Sequence, residues 1–179
     1  MVLRKEIRKM IKKITLVILA LATIWFIGDI NLKGSSVYYA KHSPSRNVRD
    51  LELMMFTENL DYFGKKDGFK YKHKIQEIKI VQNVEKDVYF TYWFYENAHT
   101  YDYRDDKRKN YYFDENFKLK KVVDAGNNRQ YVDISTVNEN KIKEEIYENF
   151  KPILEELENN EPSINLQWIF NWMYRDRIK

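Results

Sequence analysis

The sequence predicts an α+β chain: an N-terminal transmembrane helix, one further helix, an antiparallel β-meander of about four to six strands, and one or two C-terminal helices. Three observations carry this. Residues 14–28 hold no charge. From Phe69 to Ile134 apolar and aromatic residues recur with period two, the spacing of a strand. After Thr136 the spacing turns helical, through Ile142, Ile146, Phe150, Ile153, Leu154 and Leu157.

The first element is set by its flanks as much as by its core. Arg4, Lys5, Arg8, Lys9, Lys12 and Lys13 precede the apolar run, making residues 1–13 a basic cytoplasmic flank. Ile14, Leu16, Ile18, Leu21, Ile24, Trp25 and Phe26 are the residues expected to meet lipid, in a span covering residues 14–32. The charge-free run of 15 residues is short for a span, but Lys12 and Lys13 can snorkel and Trp25 suits the outer interface. Ala20 and Ala22, spaced for signal cleavage, lie inside the apolar core, and Gly34 with Ser36 lies well past it. A retained anchor is therefore expected over a cleaved signal, and either one exports the rest of the chain.

Residues 33–47, rich in Gly, Ser and Pro, read as a stalk, and residues 48–179 as the extracytoplasmic domain. Ser43 and Pro44 are the expected start of a helix that runs to Gly64 and buries Val48, Leu51, Met55 and Leu60, with Met54 and Met55 as core. Phe69, Tyr71, His73 and Ile75 then alternate with lysines, while Ile78, Ile80, Gln82 and Val84 alternate in the opposite phase, which implies a bulge or break near Glu77. Residues 87–96, DVYFTYWFYE, give the strongest strand signal. Further strands follow near residues 99–104, 111–114, 117–124 and 130–134, with turns at residues 114–116 and 126–128. Thr136 and Glu139 read as a capping box for the next helix, in which Pro152 should produce a kink or an end. Trp168, Ile169, Trp172 and Met173 fit one stripe of a last helix.

The net charge of +4 misleads about partners, because residues 1–13 alone hold +5 and leave residues 14–179 at −1. A near-neutral domain lacks the field that nucleic acid binding uses, so no nucleic acid partner is expected. There is no cysteine, which removes disulfides, thiolate nucleophiles and Cys-based zinc sites and suits an extracytoplasmic protein of a bacterium that uses few disulfides. His42, His73 and His99 have no second ligand at a metal-binding spacing, and the acidic pair Asp105 and Asp106 has basic residues where calcium ligands would be needed. No Gly-rich phosphate loop or nucleophile elbow is present. The expectation is no metal, no cofactor, no catalytic residues and no enzyme activity.

Tyrosine stands out instead. Tyr89, Tyr92, Tyr95, Tyr101, Tyr103, Tyr111 and Tyr112 are half of the 14 tyrosines and fall within 24 residues, with Trp93 among them. In residues 88–95, Tyr89, Trp93 and Tyr95 share one face and Val88, Phe90, Tyr92 and Phe94 share the other, the better core candidate. Either the last helix covers the tyrosine face, or Tyr89, Trp93, Tyr95, Tyr101, Tyr103, Tyr111 and Tyr112 form a binding platform with Arg104, Lys107 and Arg108 beside it. Such a platform suits an acidic protein partner before a glycan or a lipid headgroup.

The whole-chain layout, a basic anchor followed by a short polar step into VYYAKHS and a small exported sheet domain, resembles the TipC-type immunity proteins of Gram-positive bacteria. That resemblance implies a membrane-anchored protein whose outer domain blocks a secreted, envelope-targeting toxin. The alternatives are an accessory subunit of an envelope, secretion or conjugation machine and a lipid- or glycan-binding domain.

Overall fold

A computed structural model describes residues 2–83, 85, 87–95 and 98–178. Val84 and Glu96, expected on strands, lie outside the described residues. Helix α1 runs unbroken over Val2–Gly34. Its stretch Met10–Gly34, with a mean hydropathy of 2.0 over its most apolar window, is long and apolar enough to cross a membrane. Ile14, Leu16, Ile18, Leu21, Ile24, Trp25 and Phe26 are all more than half exposed. Thr15 and Thr23 return their hydroxyls to the carbonyls of Ile11 and Leu19 at 2.9 Å, which spares the helix surface two free polar groups.

The segment expected as a stalk is instead part of the domain. Helix α2 (Ser36–Lys41) buries Ser36, Val37, Tyr39 and Ala40 and packs on α3 (Val48–Glu58). Its apolar residues lie close enough in sequence to form a short buried face, and that burial outweighs the Gly and Ser around them. Helix α3 begins at Val48, four residues later than proline placement suggests, because the Ser43 hydroxyl is used in a local turn, accepting the Ser45 N–H at 3.4 Å. Leu51, Met54, Met55 and Leu60 are core, while Val48 is only half-buried.

Seven strands form one antiparallel sheet in chain order: β1 (Lys70–Lys74), β2 (Glu77–Asn83), β3 (Val88–Tyr95), β4 (Ala98–Arg104), β5 (Lys109–Phe113), β6 (Leu119–Asp124) and β7 (Gln130–Val132). The count exceeds the expected range because the break near Glu77 is a hairpin, not a bulge. Ile75 and Gln76 make a two-residue turn, with Gln76 at φ 68°, and Lys74 pairs with Glu77. That turn is the physical reason for the reversed phase of the alternation.

Helix α4 (Glu139–Glu158) is capped by Asn138, whose side-chain oxygen accepts the Lys141 N–H at 3.1 Å. Thr136 is not the cap: it closes a 3-10 turn, donating its hydroxyl to the Asp133 carbonyl at 2.7 Å. Pro152 lies inside α4 without ending it. Pro152 and Glu148 are both exposed, so the missing hydrogen bond opens on the solvated side. Two short helices, α5 (Gln167–Met173) and α6 (Arg175–Ile178), finish the chain.

The core lies between α2–α4 and one face of the sheet. Phe150 of α4 sits 5.8 Å from Phe56 of α3 and 6.0 Å from Phe90 of β3, ring centre to ring centre, joining all three layers. The helices pack on this face. The opposite face of the sheet is the surface left for function.

Candidate functional site

Cross-strand register decides which tyrosines belong to which face. Phe90 pairs with Tyr103 and Tyr92 with Tyr101, and Tyr103 in turn pairs with Tyr111. Directly paired residues share a face, so Tyr101, Tyr103 and Tyr111 follow Phe90 into the core and are 0%, 0% and 5% exposed. These three are removed from the expected platform. Their hydroxyls are placed by structure: Tyr101 donates to Glu58, Tyr103 to Glu145 at 2.8 Å and Tyr111 to Asp105 at 3.0 Å. Burial is the first cause that raises all three phenols above their ordinary pKa, with the neighbouring carboxylates adding to it.

The open face keeps Tyr89, Trp93, Tyr95 and Tyr112. One row across the sheet runs Lys70, Val81, Tyr89, Arg104, Asn110, Val123 and Tyr131; the next runs Lys72, Lys79, Thr91, Asp102, Tyr112 and Lys121. Trp93 and Tyr95 stack at 6.2 Å beyond them. The C-terminal helices do not cover this face: α5 packs on α2, on the other side of the core. Lys79, Asp102, Lys121, Arg129 and Tyr131 were not singled out from the sequence. Strand register was the missing signal, since it is what brings Lys121 and Tyr131 into line with Tyr112 and Tyr89.

Cations and rings are interleaved here. The Lys79 ammonium lies 3.2 Å from the centre of the Tyr89 ring, and Lys121 lies 5.1 Å from Tyr112 and 4.9 Å from Tyr131. Burial lowers the Lys79 pKa and raises that of Tyr89, as expected for groups that shield each other from water. Asp102, across β3 from Lys79, accepts the Trp93 indole N–H at 2.8 Å and is pushed up by burial to about 6. Along the two rows and the Lys74, Glu77 and Trp93 row, cationic positions (Lys70, Lys72, Lys74, Lys79, Arg104, Lys121) outnumber carboxylates (Glu77, Asp102). The face is positive although the domain is not.

At one end the face deepens into a cleft of about 400 Å³. Arg104, Lys121 and Arg129 line it together with Asn110, Tyr112 and Tyr131, and no carboxylate is among its lining residues. Arg104 holds Asp87 at 2.7 Å through one terminal nitrogen, while its Nε and the Asn110 side-chain oxygen are buried without a hydrogen-bond partner. Lys107 and Arg108 are exposed at the β4–β5 turn. Asp105 shapes that turn by accepting the Lys107 and Lys109 N–H groups at 3.0 and 2.7 Å, so its carboxylate is structural. The turn abuts the β6–β7 connection, where the Ala125 N–H donates to the Arg108 carbonyl at 3.0 Å.

The histidines are accounted for individually. His42 lies 2.8 Å from the Tyr38 carbonyl, His73 lies 2.8 Å from Asp61, and His99 lies 2.6 Å from the Tyr92 hydroxyl. Among the described residues there is no group of three or more His, Cys, Asp or Glu able to hold a metal ion. Comparison with protein families, curated proteins and solved structures finds no match for this chain.

Proposed function

We propose that this chain is a membrane-anchored, extracytoplasmic binding domain whose open sheet face takes an acidic protein partner, and that the partner is a secreted, envelope-targeting toxin which it neutralises. The observation that carries the reading is the face itself, aromatic and mainly cationic, with a carboxylate-free cleft between Arg104, Lys121 and Arg129. Aromatic side chains bring rigid contact area, and the cations select an acidic surface and speed its approach. Six basic residues ahead of the apolar run favour an N-terminus in the cytoplasm and a domain outside. A binder held at the outer surface of the membrane meets a toxin within the envelope it attacks.

Survival of cells lacking the protein, challenged with each co-encoded or neighbouring-strain toxin, tests this. Killing by one such toxin, reversed by restoring the full chain, is the expected result. Unchanged survival against every toxin overturns the proposal.

A further inference from the structure

The C-terminal segment carries an apolar surface that the fold leaves uncovered. Ile164, Trp168, Trp172 and Met173 are 50%, 72%, 64% and 49% exposed, while Phe170 on the other side of α5 is fully buried. Isolated exposed apolar residues are ordinary, but a contiguous stripe with two tryptophans marks a contact surface. Packing fixes its direction. Phe170 sits 5.6 Å from Tyr39 and 4.6 Å from Tyr174, and Arg177 of α6 donates to Glu58 at 2.5 Å. The stripe is therefore held outward by the same contacts that bury Phe170.

What lies beside the stripe is the far end of α1. Ile169, Trp172 and Met173 form one wall of an apolar groove of about 550 Å³, and Ile24, Trp25 and Gly28 form the other. The groove is continuous with the surface of α1, whose apolar window is wholly exposed. Helix α5 has no charged residue, and the charges resume only at Arg175. Trp25 and Trp172 thus meet at the end of the helix at which a span would leave the membrane, the level tryptophan favours, and Trp168 lies one turn before Trp172 on α5.

Asp29, which ends the charge-free run, also lines the groove and is paired with Lys33 at 2.8 Å, so the polar end of the span and the exposed face of α5 lie at one level.

We propose that α5 is an interfacial foot: Ile164, Trp168, Trp172 and Met173 lie at the headgroup–acyl boundary of the outer leaflet, and lipid acyl chain fills the groove between α5 and α1. This rests on the reading of α1 as a membrane anchor. The foot fixes the tilt of the domain, which a single span would leave free.

The chain has no cysteine, so single nitroxide labels can be placed on the full protein in phosphatidylethanolamine and phosphatidylglycerol vesicles. Ile18→Cys reports the anchor, Trp172→Cys and Met173→Cys the foot, and Tyr131→Cys the sheet face as an aqueous reference. The expected result is that the labels at 18, 172 and 173 lose accessibility to an aqueous nickel chelate and gain collisions with oxygen, while the label at 131 keeps chelate access. Chelate access at 172 and 173 equal to that at 131, with 18 still protected, overturns the foot and spares the anchor. Chelate access at 18 overturns the anchor reading itself. Protection of 172 and 173 from both reagents, or spin–spin broadening between copies, overturns the lipid assignment in favour of a protein cover.

Discussion

Tyr103 and Tyr112 lie on neighbouring strands and face opposite sides of the sheet. Tyr103 donates to Glu145 and accepts from the Asn149 amide at 2.6 Å, both within the core layer. Tyr103→Phe strands those two partners and is predicted to cost about 1–3 kcal/mol in urea unfolding, whereas Tyr112→Phe changes stability by less than about 0.5 kcal/mol. The same composition signal thus covers two roles. Alternation within residues 88–95 was enough to separate Tyr89 from Phe90. It was not enough for Tyr101, Tyr103 and Tyr111, whose face depends on pairing between strands. Glu52 gives a pH signature at this scale. It is 3% exposed, and burial first, then the charge of Glu158, raises its pKa from 4.5 to about 7. The folded chain therefore holds this proton more tightly than the unfolded chain, and stability falls as pH rises from near 4.5 through about 7. Glu52→Gln is predicted to be more stable than the natural protein above that range by about 1–3 kcal/mol, and equal to it near pH 4, in thermal or urea unfolding followed across pH.

Among elements, α2 shows what sequence periodicity hides. Six residues are too few to display a helical repeat, so Gly34, Ser35 and Ser36 made the region look like a linker. In the fold its Tyr39 joins three segments. The hydroxyl lies 2.7 Å from the Asn31 side-chain oxygen and 2.9 Å from the Ile164 carbonyl, gives its one proton to one of them, and accepts the Leu166 N–H at 3.1 Å. Tyr39→Phe is predicted to cost about 1–3 kcal/mol and to speed amide hydrogen exchange at Leu166 and Gln167 more than in α4. Helix α4 was legible from its spacing, because a 20-residue amphipathic pattern repeats often enough to be read. Its Phe150 is fully buried among Phe56, Phe69 and Phe90. Phe150→Ala is predicted to lose about 3–5 kcal/mol, read as a lowered urea midpoint. The stripe on α5 was also legible, but its periodicity gave no indication that it faces outward.

For the whole molecule, charge is distributed by position more than by amount. The basic flank accounts for the high pI, residues 14–179 are nearly neutral, and yet one sheet face gathers Lys79, Arg104 and Lys121 around Tyr89, Tyr112 and Tyr131. A field confined to one face orients an acidic partner without drawing nucleic acid to the whole surface. The α+β class, the meander order and the N-terminal helix could be read from local pattern. The cleft could not, because Arg104, Lys121 and Arg129 meet only through the pairing of β4, β5 and β6 and the turn after β6. The most direct measurement is toxin survival in cells carrying Lys121→Glu with Arg129→Glu, set against cells carrying Lys151→Glu on the outer side of α4, with equal membrane levels of each protein. Protection lost in the first and kept in the second is the predicted result; full protection by the cleft variant would contradict the assignment of the open sheet face as the binding surface.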